Sequence, residues 1–307
     1  MISIAMATYN GEKYLREQLD SILTQTQQNF ELIVCDDCST DSTVQILREY
    51  EKNDGRIKIF VNEENLGFNK NFEKVLGLCS GEYIALSDQD DIWLPEHLEV
   101  LISNIDDFDL VGGNAVLVDA NGSELGVDML DVCDIGDLPK NKTDFEKFLM
   151  HNNIFQGCAS LVKKRLLSKC LPIPVNVKFY DWWFAIVGCS QNGVNYVKIP
   201  ILKYRQHGKN VTENKKFSVI ERTKNFFSIR KKNEKFLLLE KISFLLEYKR
   251  FSKNSMECEN AIIYYKNRLK KNIKALPYFI SNYEDIYHSR HKKWGMVFVA
   301  RMMKLFI

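Results

Sequence analysis

Three carboxylates lie within four consecutive residues, at Asp88, Asp90 and Asp91. They follow an apolar segment, residues 83–86, that is typical of a strand, and they precede Pro95, which is predicted to begin a helix. Carboxylate oxygens at the carboxyl end of a strand are suited to a divalent cation that bridges a diphosphate. The alternative is a surface turn with a helix cap, because Asp is favoured at both places.

Alternating strand and helix patterns place this acidic cluster in an α/β fold. Strands are predicted at residues 2–7, 30–34, 57–61 and 83–86, and the stretches between the first two and the last two have helical apolar faces (Leu15, Leu19, Ile22 and Leu23; Phe72, Val75 and Leu76). Such alternation implies a parallel sheet, and ligands of parallel sheets gather at the carboxyl edge. Asp37, which follows the second strand, is therefore expected at the same edge as residues 88–91.

The first strand is not followed by a glycine-rich phosphate loop. Neither GxGxxG nor GxxxxGK[ST] occurs there, so the fingerprints of Rossmann dinucleotide binding and of P-loop ATP chemistry are both missing. A bound metal is the remaining candidate for holding phosphates, and the acidic cluster agrees with it.

Three later residues have side chains or positions suited to chemistry. Gly157 interrupts a predicted strand at residues 154–162, which indicates either close approach by a ligand or a β-bulge. Asp181 stands among five aromatic residues at 179–184, where an apolar environment would raise its pKa and make it a better base, unless it only caps a helix. His207 follows two short predicted strands, residues 194–199 and 201–204, and a lone His is more often structural.

Four ordered motifs resemble those of family 2 glycosyltransferases. They are Ala-Thr-Tyr-Asn-Gly at 7–11, Val-Cys-Asp-Asp-Cys-Ser at 34–39, Asn-Leu-Gly at 65–67 and Leu-Ser-Asp-Gln-Asp-Asp at 86–91, and the resemblance extends to about residue 212. It implies the GT-A fold, a Rossmann-like mixed sheet flanked by helices. It also implies an enzyme that transfers a sugar from a nucleotide donor.

The resemblance assigns roles to individual residues. Asp181 would be the general base of an inverting displacement, and Asp90 and His207 would bind Mg²⁺ or Mn²⁺. Asp37 would accept a hydrogen bond from the pyrimidine ring N–H, which uracil and thymine offer and cytosine does not. Nucleotide contacts are expected from Thr8, Tyr9, Asn10, Glu12, Asp37, Asn65, Lys70, Asp88, Gln89 and Arg205, and contacts to the donor or acceptor sugar from Gln156, Gly157, Trp182 and Trp183.

Within the family, the motifs look most like those of bacterial rhamnosyltransferases. The segments that carry this likeness are Ser87 to Trp93, Phe155 to Cys158, Tyr180 to Trp183 and Tyr204 to His207. The resemblance therefore implies transfer of a sugar, such as L-rhamnose, from a dTDP- or UDP-sugar. The expected acceptor is a glycan, polyprenyl-diphosphate-linked, in the synthesis of a surface polysaccharide such as O-antigen or capsule.

Eight cysteines are scattered along a chain that begins without a signal-peptide pattern, which predicts reduced thiols in a cytoplasmic protein. Cys35 and Cys38 form a CxxC pair, but no second pair lies at zinc spacing. Nucleotide binding by the intervening Asp36 and Asp37 is the preferred interpretation of this segment.

Charge divides the chain into two regions. Residues 215–307 contain 22 Lys and Arg against 8 Asp and Glu, a net charge of +14, whereas the residues before them contain 20 against 32, a net charge of −12. We therefore predict a catalytic domain at 1–214 and a basic amphipathic helical extension at 215–307. Its last stretch, residues 291–307, contains fewer apolar residues than a helix needs to span a bilayer. We therefore expect this stretch to lie in the interface of an anionic membrane, on the inner face of the cell membrane.

Several alternatives remain open for the basic extension and for the activity. The extension could pack on the catalytic domain or form a homodimer, whereas no nucleic-acid-binding motif accompanies its charge. The chain could also be a noncatalytic membrane-bound subunit that binds sugar nucleotides. A nucleotidyltransferase would share the sheet but attack phosphorus, and the basic glycine-rich loop typical of that class is missing after the first strand.

Overall fold

The computed structural model describes residues 1–207, 230–282 and 286. These residues form two compact units. The first consists of Met1–Met129, Ile154–Ile173 and the described residues from Phe179 to His207; the second consists of Leu130–Asn153, Pro174–Lys178 and the described residues beyond 214. The division at residue 214 stays a prediction. Two segments that precede it belong to the helical unit.

The first unit begins with alternating strands and helices, as the apolar patterns predict. Its elements up to the acidic cluster are β1 (Ile2–Thr8), α1 (Leu15–Leu23), β2 (Phe30–Asp36), α2 (Thr43–Asn53), β3 (Ile57–Val61), α3 (Phe68–Leu78) and β4 (Tyr83–Ser87). All seven residues of β2 are buried, because its neighbours pair with both edges and helices cover the sheet. The predicted apolar faces of α1 and α3 are buried as well, except for Leu23, which is partly exposed.

The second half of this unit continues the sheet in mixed orientation. Its elements are β5 (Ile92–Trp93), α4 (His97–Ile105), β6 (Leu110–Val118), β7 (Glu124–Asp128), β8 (Ser160–Lys163), α7 (Lys164–Cys170), α8 (Tyr180–Ser190) and β9 (Val194–Arg205), with α5 (Met129–Val132) and α6 (Lys142–His151) between β7 and β8. Pro95 was expected to begin a helix, but α4 starts at His97. A turn in which the His97 N–H donates to the Leu94 carbonyl precedes it.

The strand order across the sheet is β3-β2-β1-β4-β8-β6-β9-β5, with β7 added to β6. Strands β1 to β4 are mutually parallel, β8 is antiparallel to β4 and β6, and β9 is parallel to β6. The expected mixed sheet flanked by helices is confirmed. The carboxyl ends of β1, β2 and β4 therefore share one edge, where the predicted site residues were placed.

One continuous strand replaces the two short strands predicted at 194–199 and 201–204. Pro200, which has no N–H to donate, lies where the β6 and β9 register shifts around Asn114. The strand bends there without ending, and β9 continues to Arg205, two residues before His207.

The second unit is helical. It contains α6 together with α9 (Arg230–Tyr248), α10 (Ser255–Leu269) and α11 (Leu276–Ser281). Buried polar pairs link these helices: the Tyr248 hydroxyl donates to Glu146, and the Tyr265 hydroxyl lies 2.8 Å from His151 Nδ1. Among the described residues, none of the helices combines the length and the apolar content needed to cross a bilayer. The predicted interfacial stretch 291–307 lies outside the described residues.

Candidate active site

The loop between β4 and β5 carries the acidic cluster and is fixed to the end of β1. Gln89 holds the backbone of Tyr9 with both ends of its amide: the Tyr9 N–H donates to Oε1 at 2.8 Å, and Nε2 donates to the Tyr9 carbonyl at 3.0 Å. Gly11 lies against this contact, and a Cβ there would lie 2.3 Å from Gln89 Oε1, so a larger residue would displace the amide. The amide of Gln89, predicted to contact the nucleotide, is thus used to position the loop.

Asp90 and His207, the predicted metal ligands, are brought together. His207 Nε2 lies 2.9 Å from Asp90 Oδ2, and both side chains are largely shielded from solvent. Strand pairing explains this proximity: β5 follows Asp90 and pairs antiparallel with β9, so that Ile92 lies opposite Lys203. One carboxylate and one imidazole therefore face each other at the carboxyl edge of the sheet.

Arg205, predicted to contact phosphate, is engaged by the protein instead. Its side chain is 1% exposed and forms an ion pair with Glu17. Its Nε donates to the Asp90 carbonyl at 2.9 Å, and its backbone N–H donates to Asp91 Oδ1 at 3.0 Å. The expectation of a phosphate contact is therefore corrected: Arg205 holds the turn that carries Asp90, and Asp91 bonds to β9 and does not cap α4.

Negative charge accumulates around Asp88. Ligand atoms of Asp88, Asp91 and Cys158 all lie within 4.8 Å of one another. Burial, followed by the charges of Asp91, Asp90 and Asp181, raises the pKa of Asp88 well above its ordinary value, and burial with Asp90 raises the pKa of Asp91 to about 7. A bound cation would relieve this repulsion between carboxylates.

The donor set fits a hard divalent cation. Asp91 Oδ2 is buried and has no hydrogen-bond donor among the described residues. Burial, with the nearby carboxylates, raises the pKa of the Cys158 thiol well above its ordinary value, which disfavours the thiolate. Carboxylate oxygens and one imidazole suit Mg²⁺ or Mn²⁺ better than a thiophilic metal.

Asp37 lies at the neighbouring strand end and holds the segment after β3. Its Oδ1 accepts from Asn62 Nδ2 and from the Leu66 N–H, each at 2.8 Å, and Oδ2 accepts from the Gly67 N–H at 2.9 Å. Asn65 adds a bond from its amide to the Asp37 carbonyl at 3.1 Å. Each carboxylate oxygen can accept two hydrogen bonds, so Oδ2 retains capacity for a ring N–H.

The other predicted nucleotide contacts line the same edge. Asn10 Oδ1 accepts from the Thr40 N–H and Glu12 Oε2 accepts from the Ser42 N–H, which joins the turn after β1 to the start of α2. Thr8 donates to Asp36 and is buried. The Tyr9 ring is 49% exposed and offers an open aromatic face. Lys70 pairs with Glu73 on the exposed surface of α3.

Asp181 lies in the first turn of α8, as the helix pattern predicts. Its Oδ1 accepts from the Trp182 N–H at 2.6 Å, and its charge contributes to the raised pKa of Asp88. Trp183 is fully buried and donates through Nε1 to the Cys170 carbonyl, so it belongs to the core. This corrects the expectation that it contacts a sugar. Trp182, partly exposed, stays a candidate.

Gly157 is needed because of a protein side chain. It begins a 3-10 turn, Gly157–Ala159, so the predicted continuous strand is confined to β8. A Cβ at Gly157 would lie 2.2 Å from the Tyr180 hydroxyl oxygen. The close approach at this glycine is by Tyr180, and the contact with a ligand stays a prediction. The neighbouring Gln156 Oε1 is buried and finds no donor in the described part of the chain.

Two site neighbours escaped prediction from sequence. Tyr14 and Glu17, at the start of α1, contact His207 and Arg205 respectively. Tyr14 and Glu17 are three residues apart, which places them on one face of the helix. Their partners, however, lie about 190 residues later in the sequence. Only the fold reveals this association.

Comparison with known proteins finds a family match that covers much of the first unit. Residues 3–171 match the model of Glycosyl transferase family 2. An uncharacterized glycosyltransferase of Haemophilus influenzae is 33% identical over 68% of this chain and 66% of its own length. The UDP-Glc:alpha-D-GlcNAc-diphosphoundecaprenol beta-1,3-glucosyltransferase WfgD of Escherichia coli is 30% identical over 70% of this chain and 81% of its own. The dTDP-rhamnosyl transferase RfbG of Shigella flexneri is 28% identical over 67% and 72%.

Solved structures share the fold. TarS 1-349 of S. aureus in complex with UDP-GlcNAc superposes with a TM-score of 0.58 at 18% identity, covering 93% of this chain and 80% of TarS. The mannosyltransferase PcManGT of Pyrobaculum calidifontis, solved with GDP-Man and Mn²⁺, gives 0.57 at 16% identity, covering 99% and 79%. The mixed sheet with flanking helices is thus the GT-A fold of these enzymes.

Proposed function

This chain belongs to glycosyl transferase family 2 and is a glycosyltransferase; we propose that it transfers a hexose or deoxyhexose, with inversion and with a divalent cation, from a UDP- or dTDP-sugar to a glycan hydroxyl. The observation that carries the proposal is the convergence of Asp88, Asp90 and His207 at one edge of the sheet, with Asp181 close enough to Asp88 to raise its pKa.

The proposed reaction is a single displacement. The acceptor hydroxyl oxygen forms a bond to the anomeric carbon while the bond from that carbon to the phosphate oxygen breaks. Asp181 accepts the hydroxyl proton, and the nucleoside diphosphate leaves with the bonding electrons. Mg²⁺ or Mn²⁺ would supply charge neutralisation of the diphosphate. Asp88, Asp90 and His207 would hold the cation, and a second carboxylate is not required as nucleophile.

The donor is proposed to carry uracil or thymine, with Asp37 accepting the ring N–H through Oδ2. Tyr9 is proposed to stack on the base, which its exposure supports. L-Rhamnose as the transferred sugar is supported by the likeness to RfbG, and glucose by the likeness to WfgD. The name of WfgD includes a diphosphoundecaprenol-linked acceptor, which supports a polyprenyl-diphosphate-linked glycan here.

The helical unit is proposed to hold the enzyme at an anionic membrane. Three large apolar side chains, Phe236, Leu239 and Leu246, are exposed on one side of α9, and two basic residues, Lys249 and Arg250, follow its end. An apolar face among lysines and arginines suits a layer of anionic headgroups. Cosedimentation with vesicles of phosphatidylglycerol against phosphatidylcholine tests this part. Equal binding to both, or to neither, would contradict it. A homodimer stays a prediction.

Calorimetric titration of the full chain with UDP and dTDP, each with Mn²⁺, with Mg²⁺ and with EDTA, tests the donor site. We expect binding that depends on the cation and is lost in Asp90→Ala. Asp107→Ala, which removes an exposed carboxylate outside the site, is the matched control. The absence of binding by the wild-type chain under every condition would overturn the proposed donor.

Formation of the product tests whether the chain is catalytic. Release of nucleoside diphosphate together with a glycosylated acceptor is expected from the wild-type chain and not from Asp181→Asn. Unchanged glycan synthesis by Asp181→Asn would remove Asp181 from the mechanism. Binding of the donor without any transfer by the wild-type chain would favour the noncatalytic subunit.

A further inference from the structure

Tyr14 makes two contacts at the site that the proposed mechanism does not use. Its ring stacks on the imidazole of His207, with ring centroids 4.9 Å apart and an interplanar angle of 28°. The guanidinium carbon of Arg205 lies over the same ring, 4.7 Å from its centroid. Tyr14 is the residue directly before α1, and its side chain is partly buried.

Backbone geometry explains why these contacts occur together. The Gln206 N–H donates to the Val118 carbonyl at 2.8 Å, so the extended pairing of β9 with β6 continues beyond Arg205. Residues two apart on a strand point to the same side, which places Arg205 and His207 side by side. Tyr14 and Glu17 are three apart at the start of a helix and share one face. The two pairs meet, Glu17 with Arg205 and Tyr14 with His207.

The same group of side chains also fixes Asp90. Arg205 Nε donates to the Asp90 carbonyl, and Nη1 donates to the Ala120 carbonyl at 3.3 Å. The backbone of Asp90 and the ring of His207 are thus held by one assembly, which we call the Tyr14 cluster: Tyr14, Glu17 and Arg205.

We propose that Tyr14 is a positioning residue for the divalent cation: its stacked ring fixes the plane of the His207 imidazole so that Nε2 faces Asp90. This inference rests on the proposed role of Asp90 and His207 as ligands. An imidazole without the stack would rotate about its side-chain bonds and would have to be ordered when the cation binds. The stack uses the ring and not the hydroxyl, so phenylalanine should replace Tyr14 and leucine should not.

Binding of Mn²⁺, followed by electron paramagnetic resonance on the full chain with saturating UDP or dTDP, tests the inference without any activity measurement. We expect Tyr14→Phe to match the wild-type Mn²⁺ affinity and Tyr14→Leu to weaken it about tenfold, as for other groups that orient a metal ligand. Tyr50→Leu is the matched control, because Tyr50 also contacts α1, through Asp20, but not His207. Its Mn²⁺ affinity should equal that of the wild type.

A double-mutant cycle separates positioning of His207 from general packing of α1. In the His207→Ala background, Tyr14→Leu should produce no further loss of Mn²⁺ affinity, because the residue it acts through is gone. Nitrogen modulation from His207 in pulsed spectra should be present in Tyr14→Phe and reduced in Tyr14→Leu. Thermal melting of each variant identifies a misfolded chain, and Tyr14→Met is the second variant if Tyr14→Leu does not fold.

The results distinguish a failure of the inference about Tyr14 from a failure of the proposed metal ligands. Wild-type Mn²⁺ affinity in a folded Tyr14→Leu or Tyr14→Met chain, with weakened affinity in His207→Ala, would overturn the inference and leave the proposed cation site intact. Equal losses from Tyr14→Leu in both backgrounds would also overturn it, since Tyr14 would then act independently of His207. No effect of His207→Ala, or no Mn²⁺ binding by the wild-type chain, would overturn the proposed ligands themselves.

Discussion

Nε2 of His207 lies 2.9 Å from Oδ2 of Asp90, although 117 positions of sequence separate the two residues. Asp90 lies just before β5 and His207 lies just after β9. Because these two strands pair with each other, the sheet sets the distance between the two residues. In the proposed function, this carboxylate and imidazole would supply part of the coordination shell of a divalent cation.

Replacing Asp90 with asparagine should remove the cation-dependent part of nucleotide affinity. The change keeps the volume and removes one negative charge, so repulsion within the cluster falls while coordination weakens. We expect at least tenfold weaker binding of UDP or dTDP with Mn²⁺, about 1.4 kcal/mol, and unchanged binding with EDTA. Equal affinity of Asp90→Asn and wild type with Mn²⁺ would argue against coordination by Asp90.

Replacing Asp181 with asparagine should slow transfer without weakening donor binding. Asparagine Oδ1 still accepts from the Trp182 N–H, so the first turn of α8 keeps its bond. The amide cannot take a proton from the acceptor, and we expect kcat to fall by about 10² to 10⁴. Steady-state rates and calorimetric donor affinity, measured on the same preparation, check both halves. A loss confined to donor affinity would assign Asp181 to binding.

Alanine at Gly157 should destabilise the first unit. The new Cβ would lie 2.2 Å from the Tyr180 hydroxyl oxygen and 2.9 Å from the ring carbon that carries it. Tyr180 has little room to move, because its ring centroid lies 4.3 Å from that of Phe72 and 5.6 Å from that of Phe184. We expect a loss of about 1–3 kcal/mol in unfolding free energy, seen as a lower Tm.

Gly77→Ala is the matched control for this substitution. Gly77 lies inside α3, and a Cβ there meets nothing within 4 Å, so alanine should be neutral or slightly stabilising. Adding Tyr180→Phe to Gly157→Ala should recover part of the loss, because the nearest clashing atom is removed. A Gly157→Ala chain as stable as the Gly77→Ala chain would contradict the close contact with Tyr180.

Glu31 should contribute stability that depends on pH. Burial raises the pKa of this carboxyl, but hydrogen bonds from Ser3, Ser80 and Lys58 together outweigh burial and lower the pKa from 4.5 to about 2. A depressed pKa in the folded state stabilises the fold above about pH 4.5, and the contribution is lost as the pH falls towards 2. Its size is about 2–3 kcal/mol.

Urea unfolding of Glu31→Gln checks this contribution. The variant should be less stable than the wild type at pH 7, and the difference should shrink at pH 3, where the Glu31 carboxyl of the unfolded chain is mostly protonated. Glu64→Gln, at an exposed position, should show no difference at either pH. A deficit of Glu31→Gln that stays constant between pH 7 and pH 3 would show that charge is not the cause.

Local patterns were sufficient for the first half of the fold. The apolar faces of α1 and α3 and the runs of β1 to β4 are periodic over short stretches, and the structure confirms them. The motifs placed Asp90 and His207 in one site, which their 2.9 Å separation agrees with. Resemblance to the family, and not periodicity, predicted the mixed sheet.

The remaining features depend on long-range register. Pro200 ends a strand by local rules, yet the bulge opposite Asn114 accommodates it. The resemblance assigned Arg205 and Trp183 to ligand contacts, but both side chains are buried in the protein. The contact of Tyr14 with His207 cannot be read from local sequence patterns, because it joins the residue before α1 to a residue just after β9.

The pairing of β5 with β9 has a consequence for how such chains diversify. Ile92 and Lys203 are partners beside the site, so the polypeptide between them leaves and returns at a fixed point. Insertions or deletions in an exposed turn within that excursion, for instance at residues 106–107, would leave in place the strand pairing that sets the separation of Asp90 and His207. The length of such turns can therefore vary between related chains without moving the Asp90 and His207 pair.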